Sequence, residues 1–348
     1  MRKSFALLAC FAVAAGCSSG GGGGSGGAIT GAGATFPYPL YTKWVSEYAK
    51  VTPGVAINYQ AIGSGGGIRQ ITERTVDFGA SDAPMSDEQL AKAPDMLHIP
   101  TCLGAVVLAY NVEGVGPGLK LGPDAVAGIF LGDVKQWDDP KIKADNPDLP
   151  LPAKPISTVH RSDGSGTTKI FLDYLSVVSP AWAKGPGSGT SVSWPGGLGA
   201  KGNEGVAAQI KSQPNTVGYV ELAYAAQNGM PVVSLRNKAG KFVGPTLEST
   251  TAAARGVAGK MPDDLRVSIV DAEGEDAYPI AGFTYILLRS KQQDPVKGKA
   301  LAGFLSWALG DGQKLAADLH YAKLPPEVVE KAQKRLATVT GPDEKPLR

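Results

Sequence analysis

Gly104-Ala105-Val106-Val107-Leu108-Ala109-Tyr110-Asn111 is an unbroken apolar run of strand length, the pattern expected of a central strand covered on both faces. A second run of this kind spans residues 283–288. Residues 76–80 read as a shorter buried strand, and residues 55–60 alternate like a half-buried one. Helical spacing separates these runs. Leu40, Trp44, Val45 and Tyr48 share a face over residues 39–51, and Ile170, Phe171, Tyr174 and Leu175 do so over 169–178. A short helix fits residues 68–75, and closing helices fit 300–309 and 327–339. Strands alternating with helices make this an α/β chain. The Gly- and Pro-rich residues 185–199 read as surface loops.

The length of 348 residues suggests two domains, and 43% apolar against 19% charged residues supplies material for packed cores. There are 34 basic and 32 acidic residues; removing Arg2 and Lys3 with a leader leaves 32 of each. A neutral mature chain excludes nucleic-acid or anionic-membrane binding driven by bulk charge, so any anion site must be local. Arg2 and Lys3 precede an apolar run over residues 5–15 that is too short to span a bilayer, which reads as an export signal. Ala14-Ala15-Gly16-Cys17 resembles a bacterial lipobox, with Cys17 lipidated and residues 18–27 a flexible tether. Ordinary cleavage after Ala12-Val13-Ala14 is the alternative, whereas Leu7-Leu8-Ala9-Cys10 leaves too short an apolar run. Cys102 stands alone in the folded part, so no internal disulfide forms there and a core role is expected. His98, His160 and His320 lack metal-ligand spacing, and neither a metal nor another cofactor is expected.

Three glycine loops can hold an oxyanion. Gly is 46 of 348 residues, about 13% against an average near 7%, so no single loop decides the matter. Gly31-Ala32-Gly33-Ala34-Thr35-Phe36 lies before a helix, whose start offers free N–H groups and a positive dipole end; Thr35 adds a hydroxyl or caps the helix. Gly63-Ser64-Gly65-Gly66-Gly67 precedes the helix expected from Ile68, with Ser64 a donor or part of a flexible turn. Arg161-Ser162-Asp163-Gly164-Ser165-Gly166-Thr167 is the most informative: two hydroxyls, the Gly166 N–H and a guanidinium converge in seven residues. Arg161 can fork to two oxygens of a tetrahedral anion, and Asp163 is close enough to hold it. The competing reading is a capping turn with a surface Arg.

Asp82, at the end of the 76–80 strand, looks misplaced beside an anion. Phosphate near neutral pH still carries an O–H that an ionised carboxylate can accept, and sulfate does not. A site built around such a bond rejects the analogue lacking it by roughly 10⁴-fold or more. The commoner use of Asp is a helix cap, here for residues 86–91.

These stretches, with Gly31 to Pro37 and Val76-Asp77-Phe78-Gly79-Ala80-Ser81-Asp82 complete, are joined in one order by Trp137-Asp138-Asp139, Gly199-Ala200-Lys201-Gly202-Asn203-Glu204-Gly205 and Val217-Gly218-Tyr219-Val220-Glu221. Together they resemble the substrate-binding proteins of bacterial phosphate-specific ABC uptake systems, over nearly all of the chain from Ile29. The resemblance implies an α/β fold of the periplasmic-binding-protein type (class II): two lobes joined by two crossover strands, with a ligand cleft between. Lobe I would hold residues 28–104 plus 282–348 and lobe II residues 105–281, after a leader and tether at 1–27. It implies a monomeric, non-enzymatic protein in the periplasm or held at the cell envelope. Such a protein binds inorganic phosphate with high affinity and delivers it to the permease and ATPase subunits of an ABC importer. Matching motif by motif, the phosphate donors fall on Thr35, the Phe36 N–H, Ser64, Arg161, Ser165, Gly166 and Thr167, with Asp163 as partner of Arg161 and Asp82 as proton acceptor. Gly65 stands where the family often has a second Ser, and His160 where it often has Arg.

The nearest rival is a binding protein for another tetrahedral oxyanion, such as arsenate, a phosphonate, molybdate or sulfate; Asp82 disfavours the fully deprotonated ones. A surface adhesin or structural lipoprotein that keeps the fold is a further alternative. A phosphoester hydrolase is the rival enzyme. No Gly-x-x-x-x-Gly-Lys-Ser/Thr occurs, and Asp163 and Ile62 stand where a Gly-x-Ser-x-Gly elbow needs glycine before Ser165 and Ser64.

Overall fold

A computed structural model describes residues 28–347. The leader, the Cys17 lipidation site and the tether expected over residues 1–27 lie outside the described residues. The first part of the chain contributes β1 (Ile29–Gly33), α1 (Tyr38–Val51), β2 (Ile57–Ala61), α2 (Ser64–Thr72), β3 (Phe78–Ser81), α3 (Asp87–Ala91) and the long β4 (Met96–Asn111). Next come β5 (Lys120–Leu121), α4 (Pro123–Leu131), α5 (Pro140–Asp145), β6 (Ser157–Arg161), α6 (Gly166–Val178), α7 (Pro180–Lys184), β7 (Leu198–Ala200) and α8 (Gly202–Ser212). They are followed by β8 (Thr216–Glu221), α9 (Leu222–Gln227), β9 (Ser234–Arg236), β10 (Phe242–Val243) and α10 (Leu247–Ala258). The chain closes with β11 (Ala281–Arg289), α11 (Pro295–Leu309) and α12 (Pro326–Leu336).

The main sheet runs β2-β1-β3-β11-β4-β8-β6-β7, and a small sheet runs β10-β9-β5. The α/β class follows directly, with parallel pairs β1/β2, β1/β3, β6/β8 and β6/β7 flanking an antiparallel centre. β4 is twice the length of the apolar run that announces it, and all but its last residue is buried. Its first part, through Ala105, pairs with β11, and from Val106 onward it pairs with β8. One strand thus carries the sheet from one lobe into the other, and β11 lies beside it as the return.

Helices cover the sheet through apolar stripes of the expected spacing. α1 buries Leu40, Tyr41, Trp44 and Tyr48, and α6 buries Ile170, Phe171, Tyr174 and Leu175. Three helix starts differ from expectation by three residues or more, α11 beginning at Pro295 and not at residue 300. α2 begins at Ser64, not Ile68, and α6 at Gly166, not Lys169. Gly63, at φ 90°, precedes α2, and its glycines form the first turn. Only glycine fits there: a Cβ on Gly67 would lie 2.6 Å from Gly33 Cα and 2.7 Å from Ala80 O. Close approach outweighs the poor helix propensity of glycine, about 1 kcal/mol per residue.

Between α10 and β11 the chain touches both lobes. Met261 O accepts from Lys331 of α12, and Arg266 Nη1 donates to Met85 O at 2.9 Å and pairs with Asp87 at 2.8 Å. Further on, Asn237 Nδ2 donates to the carbonyls of Gly274, Glu275 and Ala277, and Val106 N donates to Ile280 O. Cys102 is free and buried in the core. Among the described residues no helix is long and apolar enough to cross a membrane, and no acidic, His and Cys cluster could hold a metal.

Candidate functional site

Four chain segments that end strands or start helices meet where the two lobes close on each other. From the first lobe come Thr35 and Phe36 after β1, Ser64 at the start of α2 and Asp82 after β3. From the second come Arg161 ending β6, Ser165 as the N-cap of α6, and Gly166 and Thr167 in its first turn. Main-chain contact seals the gap, with Gly65 N donating to Gly164 O at 2.9 Å. Gly166 sits so close to the opposite wall that a Cβ there would lie 2.7 Å from Ser64 Oγ and from the Asp82 backbone.

The structure decides the readings that the residues left open. Thr35 caps nothing; Pro37 is the residue before α1, and the Thr35 hydroxyl oxygen accepts from Asn203 N at 3.2 Å and Asn203 Nδ2 at 2.8 Å. Asp82 does not cap α3, because Ser86 does so in a capping box with Gln89. Ser64 belongs to a helical turn, and its Oγ accepts from Asp82 N at 3.3 Å. Arg161 is no surface residue: it is 4% exposed, and Asp163 takes its Nε at 2.7 Å and Nη2 at 2.5 Å. Asp163 also accepts from Gly202 N at 3.1 Å. That leaves Nη1 of Arg161 for an outside oxygen. Ser165 Oγ accepts from Thr168 N at 3.1 Å, and Phe36 is anchored through its carbonyl by Tyr321 at 2.6 Å. His160 turns aside and stacks on Trp194, as expected of its place next to Arg161 on a strand.

Asp82 is the one acid among these donors, and it is 3% exposed. Its Oδ1 accepts from Thr284 Oγ1 at 2.9 Å and its Oδ2 from Thr167 Oγ1 at 3.3 Å. Burial pushes this carboxyl up to about 7, against the opposing pull of Thr284, Arg161 and Thr167. Each oxygen keeps a further lone pair that can accept a proton. Arg161 goes the other way: burial alone would lower it, but the bond and charge of Asp163 hold it above its usual value. Burial likewise pushes Asp163 up, and the Arg161 pair overrides it, keeping the carboxyl ionised. Helix starts at α1, α2 and α6 add free N–H groups and positive dipole ends. Chemically this is a ring of hydrogen-bond donors and one fixed cation, with a single carboxylate able to accept. A cavity of about 320 Å³ lies against Asp82, lined from both lobes by Pro84, Lys169, Ile170 and Arg266 among others.

Sequence reasoning missed three contributors. Asn203, fully buried in α8, bridges Thr35 and Thr167. Thr284 is buried in β11 and holds Asp82. Tyr219 of β8 donates or accepts at Thr168 Oγ1 (2.7 Å) and accepts from Arg161 N (3.1 Å). A signal existed for Thr284: a hydroxyl in an otherwise apolar strand needs a buried partner.

Comparison with known proteins agrees with this architecture. The family described as PBP superfamily domain matches residues 18–311. Phosphate-binding protein PstS of Xylella fastidiosa (strain 9a5c) is 46% identical over 306 residues, covering 88% of this chain and 84% of the relative. Phosphate-binding protein PstS of Pasteurella multocida (strain Pm70) is 46% identical over 311 residues, covering 89% and 90%. A solved high affinity periplasmic phosphate-binding protein with bound phosphate superposes with a TM-score of 0.71 at 21% identity, covering 89% of this chain and 93% of that one. At that identity it speaks for the fold alone. Fold and extended identity agree, and the chain belongs to the PBP superfamily, in the phosphate-binding protein family of these relatives.

Proposed function

We propose that the chain captures inorganic phosphate between its lobes, outside the cytoplasmic membrane, and hands it to the permease and ATPase subunits of an ABC importer. The observation that carries this is Asp82: a carboxylate with free acceptor capacity, buried in a cleft otherwise made of donors. Hydroxyls of Thr35, Ser64, Ser165 and Thr167, the N–H groups of Phe36 and Gly166, and Arg161 Nη1 replace the ligand's water, while Asp82 takes the proton that phosphate retains. The names of the relatives support the same ligand. Lobe I is residues 28–104 plus 282–348 and lobe II residues 105–281, hinged where β4 changes partner. Closure assembles the donor set, so affinity comes from many charge-assisted bonds made together. The protein works as a monomer without turnover, held at the envelope through a lipid on Cys17.

Calorimetry with phosphate and sulfate tests the reading. Wild type is expected to bind phosphate and exclude sulfate, and Asp82→Asn to lose most of that discrimination, because an amide donates where the carboxylate accepted. Equal binding of both anions by wild type would remove the proton-accepting role of Asp82. Binding of neither would remove the function. Arsenate, of the same shape and also protonated, is expected to compete with phosphate.

A further inference from the structure

Asn203 meets no need of the ligand directly, yet it is fully buried beside the donor set. Glu221 N donates to its Oδ1 at 2.9 Å, which fixes the end of the amide that is oxygen. Nδ2 must then face the cleft. There one hydrogen goes to Thr35 Oγ1 at 2.8 Å and the other to Thr167 Oγ1 at 3.2 Å. The Asn203 backbone N–H adds a second donor to Thr35 Oγ1 at 3.2 Å.

A hydroxyl oxygen accepts at two lone pairs and carries one hydrogen. With both lone pairs of Thr35 engaged, its hydrogen can only be given away. Thr167 accepts from the same amide and gives its single hydrogen to Asp82 Oδ2 at 3.3 Å. Ser64 and Ser165 each accept one main-chain N–H, of Asp82 and Thr168, which leaves each a further lone pair. Among these four hydroxyls Thr35 alone has both lone pairs engaged, and both bonds come from Asn203.

We propose that Asn203 is a positioning residue that sets the polarity of the cleft, turning the Thr35 hydroxyl into an obligate donor towards a bound anion. The inference rests on the phosphate reading above. Thr35 comes from the first lobe and Asn203 from the second, so closure itself makes this setting. In the open cleft the Thr35 hydroxyl is free to rotate, and it becomes a committed donor only when the lobes meet. A ligand that needs acceptors finds only Asp82, which sharpens selection for an oxyanion.

A double-mutant cycle read by phosphate calorimetry tests it. Asn203→Ala is expected to weaken phosphate by at least about tenfold, the scale of a bond to a charged group. Asn203→Asp keeps an acceptor for Glu221 N but replaces the donor, and is expected to weaken binding further. In a Thr35→Val background, where the oriented hydroxyl is gone, each substitution is expected to lose a clear part of its effect, shrinking to about threefold for Ala. The same factor in both backgrounds, with wild type binding phosphate, would overturn the role of Asn203 and leave the phosphate reading intact. Wild type that binds no phosphate overturns both. Melting of the unliganded variants checks the fold; if Asn203→Ala is destabilised by the orphaned Glu221 N–H, the Asp variant decides.

Discussion

On the proposed function, Asp82 links two measurable properties of the molecule, ligand choice and the pH dependence of stability. Its folded value of about 7 lies above the ordinary 3.8, so the folded chain holds this proton more tightly than the unfolded one. Its contribution is therefore full at pH below 3.8 and disappears as pH rises through about 7. The shift bounds the effect at roughly 4 kcal/mol. Urea unfolding of phosphate-free protein is expected to show wild type losing stability relative to Asp82→Asn between acidic and mildly alkaline pH. A constant difference between the two would mean that the carboxyl is not perturbed. His98 moves oppositely, since burial lowers it to about 4, and the subtraction of the two proteins removes its part. At this scale the sequence was informative where a residue touches the cleft by its own chemistry: hydroxyl, guanidinium or lone acid beside glycine. Asn203 and Thr284 escaped because they act through Thr35, Thr167 and Asp82, and contacts across long stretches of chain leave no local pattern.

Elements were legible by period and misjudged at their ends. The stripes of α1 and α6 gave their existence and buried faces, and the apolar runs gave β4 and β11. The starts of α2 and α6 were set too late because glycine was read as loop, while in the fold it marks close approach. At the start of α6 that approach is across the cleft and not within one lobe, which separates binding from folding. Gly166→Ala is expected to weaken phosphate at least about tenfold by holding the lobes apart, with little change in the melting temperature of the unliganded protein. The added methyl would otherwise lie 2.7 Å from Ser64 Oγ and from the Asp82 main chain, well inside contact distance, and overpacking of that kind costs about 1–3 kcal/mol. Unchanged affinity would show that the cleft closes less tightly than this.

For the whole molecule, the α/β class was visible in the order of runs, whereas the sheet order was not, since β11 enters the sheet between β3 and β4 from far along the chain. Closure about the β4 crossing is expected to shrink the radius of gyration on adding phosphate and not on adding sulfate, as read by small-angle scattering. The segment between α10 and β11 is expected to take part in this closure, because Arg266 holds Met85 and Asp87 while residues 274–277 are held by Asn237. The place of β11 also governs the order of assembly. β1, β2 and β3 leave the ribosome early, yet β3 cannot join β4 until β11 has been made and has slotted between them. Until then the edge of β3 stays open, and pairing this distant in sequence is slow to form. The first lobe is thus begun first and finished last, and a nascent or freshly translocated chain must be kept from sticking to its neighbours through most of its own synthesis.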